Sequence, residues 1–484
     1  MTRGAYGSMV ASRLMTTGSS VSRALTTEGA RSAVTIWTVV LLISGQGFRY
    51  LLGLPLYGVL CAVTIAAVFL IFRPTLRTLR PPLLIGAFVG LAALSIVWSA
   101  TRGVTTIAVV ALVATTAIAI ITARGASNID FMLRLYRGLQ VSLFLGILFE
   151  LIVAFVIRSA VAPLVSDLES LASSRGGDPV QSNWSDNLLL EGGPVQGFVG
   201  NRNPFGGIAL LVAVVACVLL LDRRIRRLDG WITLGAAAAV HAVTMSATVT
   251  ASVLVLGALT VGAYVLRRLR PRAKRVLSFT IIACSAIGAV LTLKYRDEIF
   301  ALLDRGSDFT HRTEIWYEVI NFAMQRPDGW GYVGYWPIWQ FPYSEIGTGL
   351  DYVRPTHGHN AFLDAWLQLG LIGVVLLVGI VVLLFGSAWR LVERADRGDT
   401  HLPLGWALLT VALVMQALTE SRLLVEGGWF LLVALYCIGP PVFTLTIVDP
   451  ELVHYGTRMR KADEARMARR MGAAEERQGR AARD

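Results

Sequence analysis

The sequence predicts an all-α integral membrane protein with about twelve transmembrane helices and a large extracytoplasmic loop carrying short amphipathic helices. Composition is the first reason: 55% of the 484 residues are hydrophobic and 16% charged, against about 45–50% and about 25% in soluble domains. The second is a mean hydropathy of +0.61 sustained over 52.5 kDa, which excludes a string of ordinary soluble domains. The third is the placement of the basic residues. A net charge of +12 would also suit a nucleic-acid partner, but clusters that bracket apolar runs obey membrane topology rules instead.

Residues 1–32 hold scattered Arg, Ser, Thr and Gly without an apolar core or a small-residue cleavage site. They read as a disordered cytoplasmic arm, not a cleavable signal peptide. A bilayer core about 30 Å thick needs roughly 20 apolar residues per helix. Runs near that length lie at 33–51, 54–72, 83–100, 104–122, 139–158, 204–221, 231–247, 249–266, 276–293, 361–385, 403–419 and 423–446. Gly45, Gln46, Gly47 and Arg49 interrupt the first. With both termini in the cytoplasm, 32 of the 44 basic residues fall on the cytoplasmic side, as the positive-inside rule requires. The strongest anchors are Arg223, Arg224, Arg226 and Arg227, then the cluster from Arg267 to Arg275. The membrane domain is read as 33–448, and residues 449–484, rich in Arg, Ala and Glu, as a basic cytoplasmic tail. Cys61, Cys217, Cys284 and Cys437 sit inside apolar runs without metal-ligand spacing, so no disulfide framework is expected.

Two outer segments, 159–203 and 294–360, are longer than connections need to be, and function is sought there. In the second, Arg312 opens a stretch whose apolar residues Ile315, Val319 and Phe322 recur at helical spacing until Arg326–Pro327–Asp328–Gly329 stops it. Arg305 and Arg312 fall just before or at that helix start, where backbone N–H groups attract anions and a guanidinium pairs bidentately with phosphate. Seven aromatics between Trp330 and Tyr343 fit either anchoring at the membrane interface or stacking on sugar rings. His357 and His359 stand at the outer mouth of the tenth apolar run, where a neutral imidazole can take a proton from a sugar hydroxyl. Capping or interfacial packing is the plainer alternative, and an HxH pair without a third ligand seldom binds a metal. Asp364, four residues after Asn360, is placed to orient it. Glu150 lies in the fifth apolar run, as part of a site or as a structural pair.

The chain carries, in this order, Gly200–Asn201–Arg202–Asn203–Pro204 before a membrane helix, Arg312-x-x-x-Trp316, Gly329–Trp330–Gly331–Tyr332, and His359–Asn360-x-x-Leu363 leading to Gly370–Leu371–Ile372–Gly373. This order of motifs resembles the O-antigen ligase and O-antigen polymerase superfamily. The resemblance spans about residues 195–380. It implies a GT-C-like membrane glycosyltransferase that polymerises or ligates polyprenyl-diphosphate-linked glycan repeats at the outer face of the cytoplasmic membrane. The implied partners are that donor, a glycan or lipid acceptor and membrane lipids, with no nucleic acid. His359 matches the family histidine proposed as general base, and Arg312 the loop arginine associated with the diphosphate. His357, Asn360 and Asp364 accompany them as substrate-binding candidates. One departure is visible: where the family often has a basic pair after a membrane helix, this chain reads Ser246–Ala247–Thr248–Val249–Thr250, leaving Arg202 or Arg305 as replacements. Guanidinium groups can neutralise a diphosphate leaving group, so neither metal nor cofactor is expected. A lipid-linked oligosaccharide flippase or transporter, and a peptidoglycan polymerase of the shape, elongation and division type, are the competing readings. The first usually shows internal repeats, and none is found.

Overall fold

The computed structural model describes residues 27–165, 183–270, 272–280, 307–348, 355–395 and 399–439. Arg305, the tail 449–484 and most of the 1–32 arm lie outside the described residues. Among the described residues all regular structure is helical, apart from one isolated bridge between Val161 and Ser185. The helices are α1 (27–43), α2 (Gly45–Phe72), α3 (Leu83–Leu94), α4 (Arg102–Arg124), α5 (Asn128–Ile152), α6 (Arg202–Leu221), α7 (Arg227–Thr244), α8 (Ala247–Leu266), α9 (272–280), α10 (Ser307–Gln325), α11 (Ala361–Arg394), α12 (Leu402–Ala417) and α13 (Glu426–Ile438). Helix α5 runs on through a π turn, Val153–Ile157.

Among the described residues six segments are long and apolar enough to cross a membrane: α2, α4, α5 with its π turn, α6, α8 and α11. Helices α3, α12 and α13 are shorter apolar helices. Helix α6 is the centre of the bundle, with 78% of its apolar window buried against 17% for α2. It packs on α5, α7 and α12, while α11 packs on α3, α10 and α12. In lipid these contacts are held by close packing more than by exclusion of water. Leu54, Val59, Val63 and Leu70 on α2 stay exposed, as a lipid-facing surface requires.

The first apolar run is not one helix. Helix α1 stops at residue 43 and α2 begins at Gly45, because Gln46 and Arg49 have polar partners at that end. Gln46 donates to Tyr50 (2.8 Å) and Arg49 pairs with Glu426. Glu150 also finds a structural partner set: its carboxylate accepts from Ser185 Oγ (3.0 Å) and from the backbone N–H of Gln196 (3.1 Å) and Gly197 (2.6 Å). A carboxylate in an apolar run is costly unless bonded in this way, and here it ties the segment before α6 to α5.

Helix α11 breaks at Gly370 (φ 66°, ψ −170°). The carbonyls of Leu367 and Gln368 are satisfied by the N–H groups of Trp330 and Gly331, each at 2.9 Å. The Gly329–Tyr332 turn is thus docked into the break, and Trp98 Nε1 and the backbone N–H of Ala100 fasten its other side by donating to Asp328 O (3.2 Å) and Trp330 O (3.4 Å). A Cβ on Gly370 would lie 2.0 Å from Pro327 O, and its dihedrals belong to a region essentially reserved for glycine, at a cost of about 1–3 kcal/mol for other residues. Gly370→Ala is therefore expected to lower the melting temperature of the purified protein. Gly386→Ala, on the same helix with nothing within 4 Å of the added carbon, should leave it unchanged or raise it slightly. Equal melting of the two variants would refute the docking argument.

Candidate active site

The centre is built where the amino ends of three helices meet. Asn201 caps α6, accepting from Asn203 N (3.0 Å). Ser246 caps α8, and Asn360 caps α11 by accepting from Phe362 N (3.0 Å) and Leu363 N (3.2 Å). Side chains link the ends. Ser246 Oγ donates to Asn203 Oδ1 (2.8 Å), and Asn203 Nδ2 donates to Glu420 Oε1 (3.2 Å). Positive dipole ends therefore point into one polar volume.

Glu420, 4% exposed, is the hub. Arg312 Nη2 lies 3.4 Å from its Oε1, while His357 Nε2 and His359 Nδ1 lie 3.6 Å and 3.7 Å from its Oε2. The two imidazole centroids are 4.1 Å apart. His359 N donates to His357 Nδ1 (3.1 Å), so a neutral His357 carries its proton on Nε2, facing the carboxylate. Burial, then the neighbouring His359, push the His357 pKa down to about 3, which leaves that ring neutral. Burial pushes the Glu420 carboxyl up, but His359, His357 and Arg312 outweigh it and hold the group well below the usual carboxylate range. His359 Nδ1 is buried without a hydrogen-bond partner, and its backbone is left-handed (φ 47°), an uncommon and mildly strained state for a residue other than glycine.

The turn bearing the histidines is fixed from beneath. Asp364, fully buried, does not reach the Asn360 side chain as its spacing suggested. Its carboxylate accepts from Trp336 Nε1 (2.7 Å), Gln368 Nε2 (2.8 Å) and Gly358 N (3.2 Å). Trp316 of α10 donates to Gly358 O (2.9 Å). The amphipathic helix of the second outer segment exists, but it begins at Ser307 and not at Arg312. Arg312 therefore sits in the second turn and reaches the centre by its side chain, not by lying at a helix start. Arg202 opens α6 beside Asn203. Of the seven aromatics, Trp330, Trp336 and Tyr343 are buried in the segment's own core, and Tyr332 in the core of the bundle, where its hydroxyl donates to Leu424 O (2.7 Å). Phe341 is exposed at 50%.

The structure thus gathers His357, His359 and Arg312 around a residue that sequence reasoning missed. The available signal was the charged Glu420–Ser421–Arg422 triplet between the last two apolar runs. One consequence was also missed. His357, His359 and Glu420 offer ligand atoms within 4.8 Å of one another, the third ligand that the HxH pair lacked, so these residues fit a divalent cation by spacing.

A helical multi-pass membrane protein with a His–Glu–Arg centre at one end of its bundle is the class that fold and site define. Residues 234–378 match the family model described as O-Antigen ligase. Over 160 residues the chain is 29% identical to the exopolysaccharide production protein ExoQ of Rhizobium meliloti (strain 1021), covering 30% of this chain and 35% of that protein. The chain therefore matches about a third of the length of that curated relative. Together these similarities support a likeness to the O-antigen ligase superfamily, the one that the motif order resembles. The family match includes Arg312, His357, His359, Asn360 and Asp364, and stops short of Glu420.

Proposed function

We propose that this protein is a membrane glycosyltransferase that polymerises or ligates polyprenyl-diphosphate-linked glycan repeats in cell-surface polysaccharide synthesis. The observation that carries the reading is the meeting of His359 and Arg312 on Glu420, from three separate stretches of chain. The Glu420 carboxylate lies 3.7 Å from Nδ1 of His359, on the side of the ring away from Nε2, and Nε2 is read as the base. The acceptor hydroxyl gives its proton to Nε2 as its oxygen bonds the anomeric carbon. The bond from that carbon to the diphosphate oxygen breaks, and the electron pair leaves with the diphosphate. Arg312 and the helix amino ends meet this growing negative charge, stabilising the transition state more than the ground state. A guanidinium beside Glu420 supplies positive charge at the place where a metal would, so the reaction is read as metal-independent. The bundle is read as about twelve spans with both termini cytoplasmic and the centre at the outer face, supported by the distribution of basic residues.

The test is transfer by purified protein in nanodiscs given a polyprenyl-diphosphate-linked repeat and an acceptor glycan. Elongated or transferred product is expected, with undiminished rate in EDTA. Absence of transfer from any such donor would refute the enzyme reading. Loss in EDTA restored by added Mn²⁺ or Mg²⁺ would make His357, His359 and Glu420 metal ligands. Glycan analysis of a deletion strain assigns the acceptor: single repeats without long chains mark a polymerase, and long chains left on lipid mark a ligase.

A further inference from the structure

Among the described residues, three arginines meet at the polar end of the bundle, and one of them rests on an uncharged partner. Arg49 pairs with Glu426 and Arg312 with Glu420. Arg422, in the short turn Ser421–Leu424 two residues after Glu420, is half-buried and donates from Nη2 to the neutral amide oxygen of Gln46 (2.9 Å). That same oxygen is 3.5 Å from Nη2 of Arg49, so two guanidinium groups converge on one uncharged acceptor. Among the described residues Arg49 and Arg312 thus each have a carboxylate, whereas the side-chain partner of Arg422 is an amide. Like charges this close, partly removed from water, repel unless an anion joins them. Arg422 lies in the turn that follows Glu420 directly, and Glu420 is the carboxylate on which Arg312 and both histidines converge, which places this cation beside the reacting centre.

We infer that Arg422 is the second cation of the donor site, holding one phosphate of the polyprenyl diphosphate while Arg312 holds the other. This rests on the proposed function and names a residue outside the motifs that suggested it. The ligand it calls for carries two linked anionic groups and lies between α10 and the α12–α13 turn. A guanidinium has five N–H donors in a fixed fork, so Arg422 can keep Gln46 and still present a free edge to phosphate oxygens. Gln46 then acts as a neutral rest for Arg422, and a carboxylate in its place would cancel that cation's charge.

The experiment measures binding of undecaprenyl diphosphate, undecaprenyl monophosphate and uncharged undecaprenol to the full chain in zwitterionic nanodiscs. Wild-type protein is expected to prefer the diphosphate. Arg422→Ala should weaken diphosphate binding by about 10-fold or more, in line with loss of a charge-assisted hydrogen bond, with a much smaller effect on the monophosphate. Gln46→Glu leaves Arg422 in place but engages it, and should weaken diphosphate binding in the same direction. Its chain melts as a folded protein if the pairing forms as described, which separates charge cancellation from misfolding. Diphosphate binding within about 2-fold of wild type in both variants overturns the role of Arg422, as does equal weakening toward both phosphorylated lipids. A wild-type protein that binds undecaprenol as tightly as the diphosphate would overturn the donor reading itself, and this inference with it.

Discussion

His359→Ala is expected to abolish detectable glycan transfer while expression and membrane insertion remain normal. General-base catalysis contributes about 10²–10⁴-fold, enough to put the residual rate below most gel-based assays. The backbone at His359 is left-handed, so alanine introduces a small conformational cost of its own. His359→Asn removes this ambiguity, because asparagine tolerates that conformation but has no basic nitrogen. Both variants should be inactive, with melting temperatures close to wild type for Asn. His357→Ala should do less harm: that ring is already neutral and serves as acceptor for the His359 N–H. Normal turnover by His359→Asn would end the base assignment.

Glu420→Gln is expected to have the second largest effect. The substitution keeps shape and removes the charge on which Arg312, His357 and His359 converge. By comparison with histidine–carboxylate pairs in hydrolases, where losing the carboxylate costs about 10⁴-fold, a fall of about 10²–10⁴-fold is expected. The charge separates this role from a structural one. Glu420 lies well below the usual carboxylate range and stays ionised at working pH, so the glutamine removes a charge that is present during turnover. Glu420→Asp, which keeps the charge on a shorter side chain, should retain more of the rate than Glu420→Gln. Turnover by Glu420→Gln within about 2-fold of wild type, at a normal melting temperature, would make Glu420 a scaffold residue only.

What could be read from the sequence follows physical range. Apolar runs and helix punctuation are local, so the six helices of membrane-crossing length among the described residues, the amphipathic helix before Arg326 and the turn at Gly329–Tyr332 were legible. The pairing of that turn with Gly370 was legible only as two separate motifs, since no periodicity says that one backbone fills the gap in another. Glu420 was invisible for the same reason. It meets Arg312 across 108 residues and Asn203 across 217, and an acidic residue between two apolar runs looks like ordinary punctuation. Asp364 and Asn360 share a helical face, yet Asn360 turns its side chain to cap the helix while Asp364 faces the buried Trp336. The aromatic cluster was misjudged because composition cannot distinguish a small core outside the bundle from an interfacial belt. The broken first run had a visible cause in Gly45, Gln46 and Arg49, whose partners lie in distant segments.

The divided origin of the centre bears on how such a protein can be taken apart. His359 and Arg312 come from the outer segment and its edge, whereas Asn203, Ser246 and Glu420 belong to the bundle. A fragment comprising residues 294–360, however well it folds, would carry Arg312, His357 and His359 without the carboxylate on which they converge. Domain exchange between relatives meets the same obstacle, and a transplanted outer segment would arrive with its chemistry half assembled. Hybrids that retain function should be those that inherit the α12–α13 turn together with the outer segment, making these two distant stretches a single heritable unit.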